Sequence, residues 1–164
     1  MGALLRRAVM SIVDFDRSVR RLEYTWVNSD GGRSTSKRKA QKNDCTVRAL
    51  AIARELPYDE AYDILKDAGR KCSRGFDFVK WIDAQPWATK ISFPAEKGKR
   101  RMTPAQFCRD YPKGTYILRV TKHVFAVRDG VIYDTFENRP DRCVYSIEWG
   151  VSVNKWLRKR MLTT

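Results

Sequence analysis

The chain has 164 residues, the length of one ordinary domain, with enough apolar side chains to bury a core without staples. Its 33 Lys and Arg against 19 Asp and Glu leave a net charge of +14, which favours nucleic acid, anionic surfaces or acidic proteins as partners. Four scattered cysteines with no C-x-x-C pair, and a single histidine, argue against a tetrahedral zinc site, and no run reaches the ~20 apolar residues of a membrane span. The expectation is a soluble cytoplasmic protein with free thiols, no metal and no cofactor, since the N-terminus lacks the long apolar stretch of a secretory signal.

Residues 1–20 space Leu4, Leu5, Val9, Ile12 and Val13 at helical intervals among arginines, which predicts a basic amphipathic helix; Met1 and Met10 are both candidate starts. Residues 22–28 read as a short strand with Tyr24, Trp26 and Val27, and the Ser29-Asp30-Gly31-Gly32 run as a turn. The polar stretch 33–42 is an expected exposed loop. From Cys45 an apolar stripe of Val47, Leu50, Ala51 and Ile52 predicts a helix closed by Pro57. A second helix follows, with Asp59 as the expected cap, Ala61, Ile64, Leu65 and Ala68 facing inward, and Gly69 as the stop.

Residues 73–84 predict a third, shorter helix and 89–93 a strand. Thr103-Pro104 opens a short helix, with Thr as the N-cap and Pro at the first helical position. Residues 115–120 form an expected strand with Tyr116, Leu118 and Val120 on one face and Ile117 and Arg119 on the other. Residues 124–128 and 131–136, joined by Asp129-Gly130, make the clearest hairpin, because Asp-Gly suits a type I′ turn. A further strand is expected over 142–148, and a basic helical tail over 153–162. Helices first and an antiparallel sheet last is an α+β order. The expected divisions are a basic arm with a short strand over 1–40, a catalytic domain over 41–150 and a basic tail over 151–164.

Cys45 at the first turn of a helix has its thiolate stabilised by unpaired backbone N–H groups and the helix dipole. Its partner is sought in His123, the one imidazole of the chain. With Asp129 and Gly130 as the loop, Arg128 faces Val131, Val127 faces Ile132, Phe125 faces Asp134 and His123 faces Phe136. Asp134 then lies diagonal to His123 on the same face, about 7–8 Å away along the backbone and within side-chain reach. A Cys-His-Asp set generates a nucleophile because the imidazole takes the thiol proton and the carboxylate fixes the ring. Gln41, Asn43 and the Cys45 backbone N–H are candidates for the oxyanion, with Gln41 preferred.

The order Gln41-Lys42-Asn43-Asp44-Cys45, a helix, and some eighty residues later a strand, His123, a hairpin and Asp134, resembles the papain-like cysteine peptidases of the C39-like type over about residues 41–136. The resemblance implies a papain-like fold, N-terminal helices packed on a C-terminal antiparallel sheet, and an oxyanion-hole glutamine whose role falls to Gln41. It implies a thiol peptidase or isopeptidase acting on a protein or peptide. The run Asn43-Asp44-Cys45-Thr46-Val47-Arg48-Ala49 is also similar to the nucleophile motif of OTU-type deubiquitinases, departing from it in the missing glycine and in Val47. The same triad chemistry serves transglutaminases, deamidases and acyltransferases.

Other features support a different class. Lys97, Lys99, Arg100 and Arg101 form a basic loop, and Arg158, Lys159 and Arg160 a basic tail, which together suit an inactive papain-like module binding nucleic acid or an acidic protein. Cys72, Cys108 and Cys143 read as structural thiols, and Trp81, Trp87, Trp149 and Trp156 as core before they read as a base-stacking platform. The small size and basic surface are similar to those of small phage-encoded proteins, for which the host cytoplasm would be the compartment.

Overall fold

The computed structural model describes residues 24–72, 74–93, 95–137, 144 and 148–151, the last four as backbone. The expected amphipathic helix of 1–20, the tail carrying Arg158, Lys159 and Arg160, Cys143, Trp156 and the side chain of Trp149 lie outside the described residues.

Strand β1 (Thr25–Asn28) leads through the glycine turn and a single 3-10 turn at Arg33–Thr35 to helix α1 (Cys45–Arg54), which begins on the cysteine itself. Five of its six buried residues are apolar, Val47, Ala49, Leu50, Ala51 and Ala53, so it is covered on more than the stripe expected; Arg48 is the sixth. The helix ends in a left-handed Glu55 (φ 55°), with the Leu56 N–H returning to the Ala51 carbonyl. Helix α2 (Tyr58–Asp67) follows after Pro57 and closes at Gly69 (φ 100°), as expected.

The N-cap of α2 is Pro57, not Asp59. Asp59 is turned toward the 33–42 loop instead, accepting from the Lys37 N–H at 3.0 Å and Arg38 Nη1 at 2.6 Å. A guanidinium and a backbone N–H together outcompete the local cap, and the loop is thereby fastened to the helix.

Helix α3 (Phe78–Asp83) is shorter than the expected 73–84 because Asp77, not an earlier residue, caps it by accepting from the Lys80 N–H. Strand β2 (Ala88–Ile91) and helix α4 (Pro104–Asp110) follow, the latter opened by a full capping box between Thr103 and Gln106. Strands β3 (Thr115–Val120), β4 (His123–Arg128), β5 (Val131–Asp134) and β6 (Glu148–Val151) complete the set. Asp129 (φ 47°) and Gly130 (φ 75°) both adopt the left-handed conformation that a type I′ turn requires. The hairpin pairs Arg128 with Val131 and Val127 with Ile132, the register expected from the turn.

The six strands run in the order β1-β5-β4-β3-β6-β2. The expectation of a purely C-terminal antiparallel sheet is corrected in two respects: β1 pairs in parallel with β5, and β1 and β2 come from segments before and among the helices. The fold is a mixed α+β arrangement.

Both faces of the sheet are covered. Helices α1, α2 and α3 pack Val47, Leu50, Leu65 and Ile82 against Ile117, Val124 and Ala126. On the other face α4 packs Phe107 against Leu118, Phe125, Val127 and Ile132. That is why β4 carries four consecutive buried residues, Val124 to Val127, in place of an alternating pattern. Each large side chain so buried stabilises the fold by roughly 1.5–3 kcal/mol. His123 and Arg128 mark the two ends of this central strand, so the imidazole is held at the rim of a rigid core. Among the described residues, no helix is long and apolar enough to cross a membrane.

Candidate active site

Cys45 is the first residue of α1 and is partly buried against the helical core cluster. Asp44 is the residue at the N-cap, yet its side chain makes no capping hydrogen bond. Its carboxylate, 1 % exposed, is occupied elsewhere: it accepts from Arg48 Nη1 at 2.6 Å, from the Tyr58 hydroxyl at 2.7 Å and from Arg33 Nη1 at 3.2 Å. The first-turn N–H groups beside the thiol are therefore not taken up by the cap side chain, which is the condition for holding negative charge there.

His123 opens β4, and its Nε2 lies 2.5 Å from Asp134 Oδ2, at the end of β5. The ring is flanked by Phe136, with centroids 4.7 Å apart, and by Phe125 at 5.9 Å. With Nε2 engaged by the carboxylate, Nδ1 is the ring nitrogen left to face another partner, and Cys45 is among the groups whose interaction raises the ring's pKa. The Val124 backbone N–H is among the groups that favour the thiolate. His123 and Asp134 are thus joined by a hydrogen bond, and Cys45, at the start of α1, is electrostatically coupled to the same ring.

Electrostatics follow from that arrangement. Burial works against charge on the Cys45 thiol, but the hydrogen bond and charge of His123, the Val124 N–H and the nearby Arg48 outweigh it and lower the thiol pKa. Burial likewise works against a charged His123, and the hydrogen bonds and charges of Asp134 and Cys45 overcome it, raising the imidazole to about 9. Both shifts favour a thiolate beside an imidazolium. Cys108 is the contrast: buried against the sheet by α4, it is pushed up to about 12. Cys72 is exposed.

Behind these residues lies a buried ionic network that the sequence reading did not include among the site residues. Arg48, 8 % exposed, spans two carboxylates, giving Nη1 to Asp44 and Nη2 to Asp134 Oδ1 at 3.2 Å. Asp134 Oδ1 also accepts the Thr135 N–H at 2.8 Å, which leaves Oδ2 for the histidine. Arg33 and Arg48 thus stand against Asp44 and Asp134, and buried carboxylates are tolerated only when they are matched in this way. The visible signal for Arg48 was Asp44 four residues earlier, a helical i,i+4 pair. Its second partner, 86 residues along the chain, had no local signal.

The oxyanion candidates are placed less alike. Gln41 is half-buried on the loop, its backbone carbonyl accepting from Arg33 and its side-chain oxygen buried without a hydrogen-bond partner. Asn43 is exposed, left-handed (φ 52°), and gives its carbonyl to Arg70.

Lys99 pairs with Glu96 at 2.5 Å, and Lys99, Arg100 and Arg101 line a pocket that also contains Glu96 and Asp110. Lys97 is exposed. Trp81 and Trp87 pack against the helical core and against each other, with centroids 6.1 Å apart, which assigns their faces to packing. Among the described residues, no group of three or more His, Cys, Asp or Glu could hold a metal ion.

Comparison with protein-family models, with curated proteins and with solved structures returns no match to this chain.

Proposed function

We propose that the chain is a cysteine acyl-transfer enzyme of papain-like arrangement, acting as a peptidase or isopeptidase on a protein or peptide substrate. The observation that carries this reading is the 2.5 Å hydrogen bond between His123 and Asp134 at the end of a β-hairpin, with Cys45 at a helix N-terminus coupled to the same ring.

In this reading the Cys45 thiolate attacks the substrate carbonyl carbon, and the oxygen takes the electron pair. The Cys45 backbone N–H and the Gln41 side-chain amide stabilise that oxyanion. As the C–N bond breaks, His123 Nδ1 gives its proton to the leaving amine and a thioester remains. Water then attacks the thioester while His123 takes a proton from it, releasing the acid and restoring the ion pair. Asp134 holds the ring in one tautomer throughout. An amine in place of water would make the enzyme a transferase, and a glutamine amide as substrate would make it a deamidase.

The reading of an inactive binding module has less support, because Lys99 already has a carboxylate partner within the chain. Iodoacetamide labelling at pH 7, read residue by residue by mass spectrometry, tests the proposal. Cys45 is expected to react at least about tenfold faster than exposed Cys72, and His123→Ala to remove the advantage. Equal rates at the two cysteines, unchanged by His123→Ala, would sink the proposal.

A further inference from the structure

A cavity of about 250 Å³ opens at the start of α1, lined by Asn43, Thr46, Arg70, Lys71, Arg74 and Phe76. Asn43 and Thr46 flank Cys45 in sequence, Thr46 being only ~3.8 Å along the backbone from it. Three of the six lining residues are cations and none is acidic.

Arg70 is the informative one. It is 5 % exposed, and its contacts are the Asn43 carbonyl, 3.2 Å from Nη2, and the Tyr62 ring, whose centroid is 5.5 Å from the guanidinium carbon. Among the described residues, no carboxylate comes within ion-pair distance of Arg70, Lys71 or Arg74, whereas Arg33, Arg38 and Arg48 each have one. A guanidinium has five N–H donors, and a buried one is ordinarily matched by an anion. The backbone sets this arrangement against the loop that precedes Cys45. Gly69 (φ 100°) ends α2, the Arg70 N–H returns to the Leu65 carbonyl at 2.8 Å, and the side chain is thereby brought to the loop that precedes Cys45.

We propose that this cavity is a subsite for an acidic side chain, Asp or Glu, of the peptide substrate, seated next to the bond that Cys45 attacks. The assignment rests on the acyl-transfer reading for its placement on a peptide. The carboxylate completes the donors of Arg70, Lys71 and Arg74 supply further positive charge at the mouth, and Phe76 offers an apolar wall to the methylene groups. The positive end of α1 adds to the same field. An acidic substrate also suits the excess of basic residues over the whole chain, which steers anionic partners inward.

The test uses the Cys45→Ala protein, which cannot turn over substrate, titrated by NMR with blocked peptides that are identical except for one Glu or one Gln. Glu peptides are expected to bind at least about tenfold tighter, to weaken with added salt, and to shift the amides of Asn43, Thr46 and Arg70. Because Lys71 and Arg74 are exposed, Lys71→Glu and Arg74→Glu keep the fold and are expected to abolish the Glu preference, with circular dichroism as the check on folding. Equal binding of Glu and Gln peptides, or shifts away from the cavity, overturns the subsite. A Gln peptide with a free C-terminus that outcompetes the Glu peptide also overturns it, in favour of a terminal-carboxylate site.

Iodoacetamide labelling of the wild-type chain separates the two readings. Rapid Cys45 labelling without a Glu preference overturns the subsite and leaves the acyl-transfer reading standing. A Glu preference with Cys45 no more reactive than Cys72 supports the anion subsite and overturns the acyl-transfer reading.

Discussion

Arg48 Nη2 lies 3.2 Å from Asp134 Oδ1, so a side chain on the first turn of α1 holds the carboxylate that holds the histidine. The same guanidinium binds Asp44, the residue immediately before the nucleophile. One cation therefore fixes the two ends of the candidate site to each other, the helix start that carries the thiol and the strand end that carries the orienting acid.

Removing that cation takes a charged partner from each of two buried carboxylates. Arg48→Ala is expected to destabilise the fold by about 3–5 kcal/mol, the range for breaking a buried pair from one side. Arg48→Lys keeps the charge but loses the two-ended fork and should fall between wild type and Ala. Urea unfolding of the three proteins checks this, and a loss below about 1 kcal/mol for Ala would show that Arg33 and Tyr58 suffice for Asp44.

The imidazole sets a pH window. Because the folded-state pKa of His123 is raised from 6.5 to about 9, the native imidazole binds more protons than the unfolded one between those values. The stability contributed by the imidazolium is thus fully present below about pH 6.5 and is lost as pH rises through about 9. Urea midpoints of wild type and His123→Gln, measured from pH 6 to 10, should converge with rising pH. The same titration removes the proton for the leaving amine, so peptide cleavage is expected to fall off near pH 9.

Asp134→Asn retains the shape of the side chain and removes its charge. The His123 pKa should then drop below about 9 and Cys45 labelling should slow several-fold, since the ring loses its main attractive partner. As the chain has one histidine, a single ring C–H resonance followed by NMR reads the shift directly. An unchanged pKa would mean that Cys45 alone sustains the charged ring.

Gly31 seats the loop that delivers Arg33 to Asp44. It has φ 65°, and a Cβ there would stand 3.2 Å from both the Cα and the carbonyl oxygen of Arg48. Gly31→Ala is expected to cost about 1–3 kcal/mol through strain and displacement of the loop from α1. Gly75→Ala, with nothing within 4 Å, should stay within about 0.5 kcal/mol of wild type. Thermal unfolding of the two variants side by side makes the comparison.

What could be read from the residues alone was what short-range physics decides. Asp129-Gly130 permits the positive φ angles of a tight turn, and a period of two then carries His123 and Asp134 to one face, so the pairing followed from a dozen residues. Thr103-Pro104 and Gly69 marked helix ends because capping and left-handed backbone are local properties. Cys45 at the start of α1 was legible for the same reason.

Tertiary structure decided the rest. Asp59 had the chemistry of a cap but was drawn to Arg38 and Lys37, and Asp44 at the N-cap position of α1 was drawn to Arg48, Arg33 and Tyr58. In each case a guanidinium, with a second donor beside it, offered more than the adjacent N–H. The parallel pairing of β1 with β5 and the second covered face of the sheet depend on which elements meet, not on the pattern within any of them. Arg48 shows the difference most directly: its helical position and its pair with Asp44 are written within five residues, while its hold on Asp134 exists only because folding brings the two ends of the domain to one buried point, where an unmatched charge could not remain.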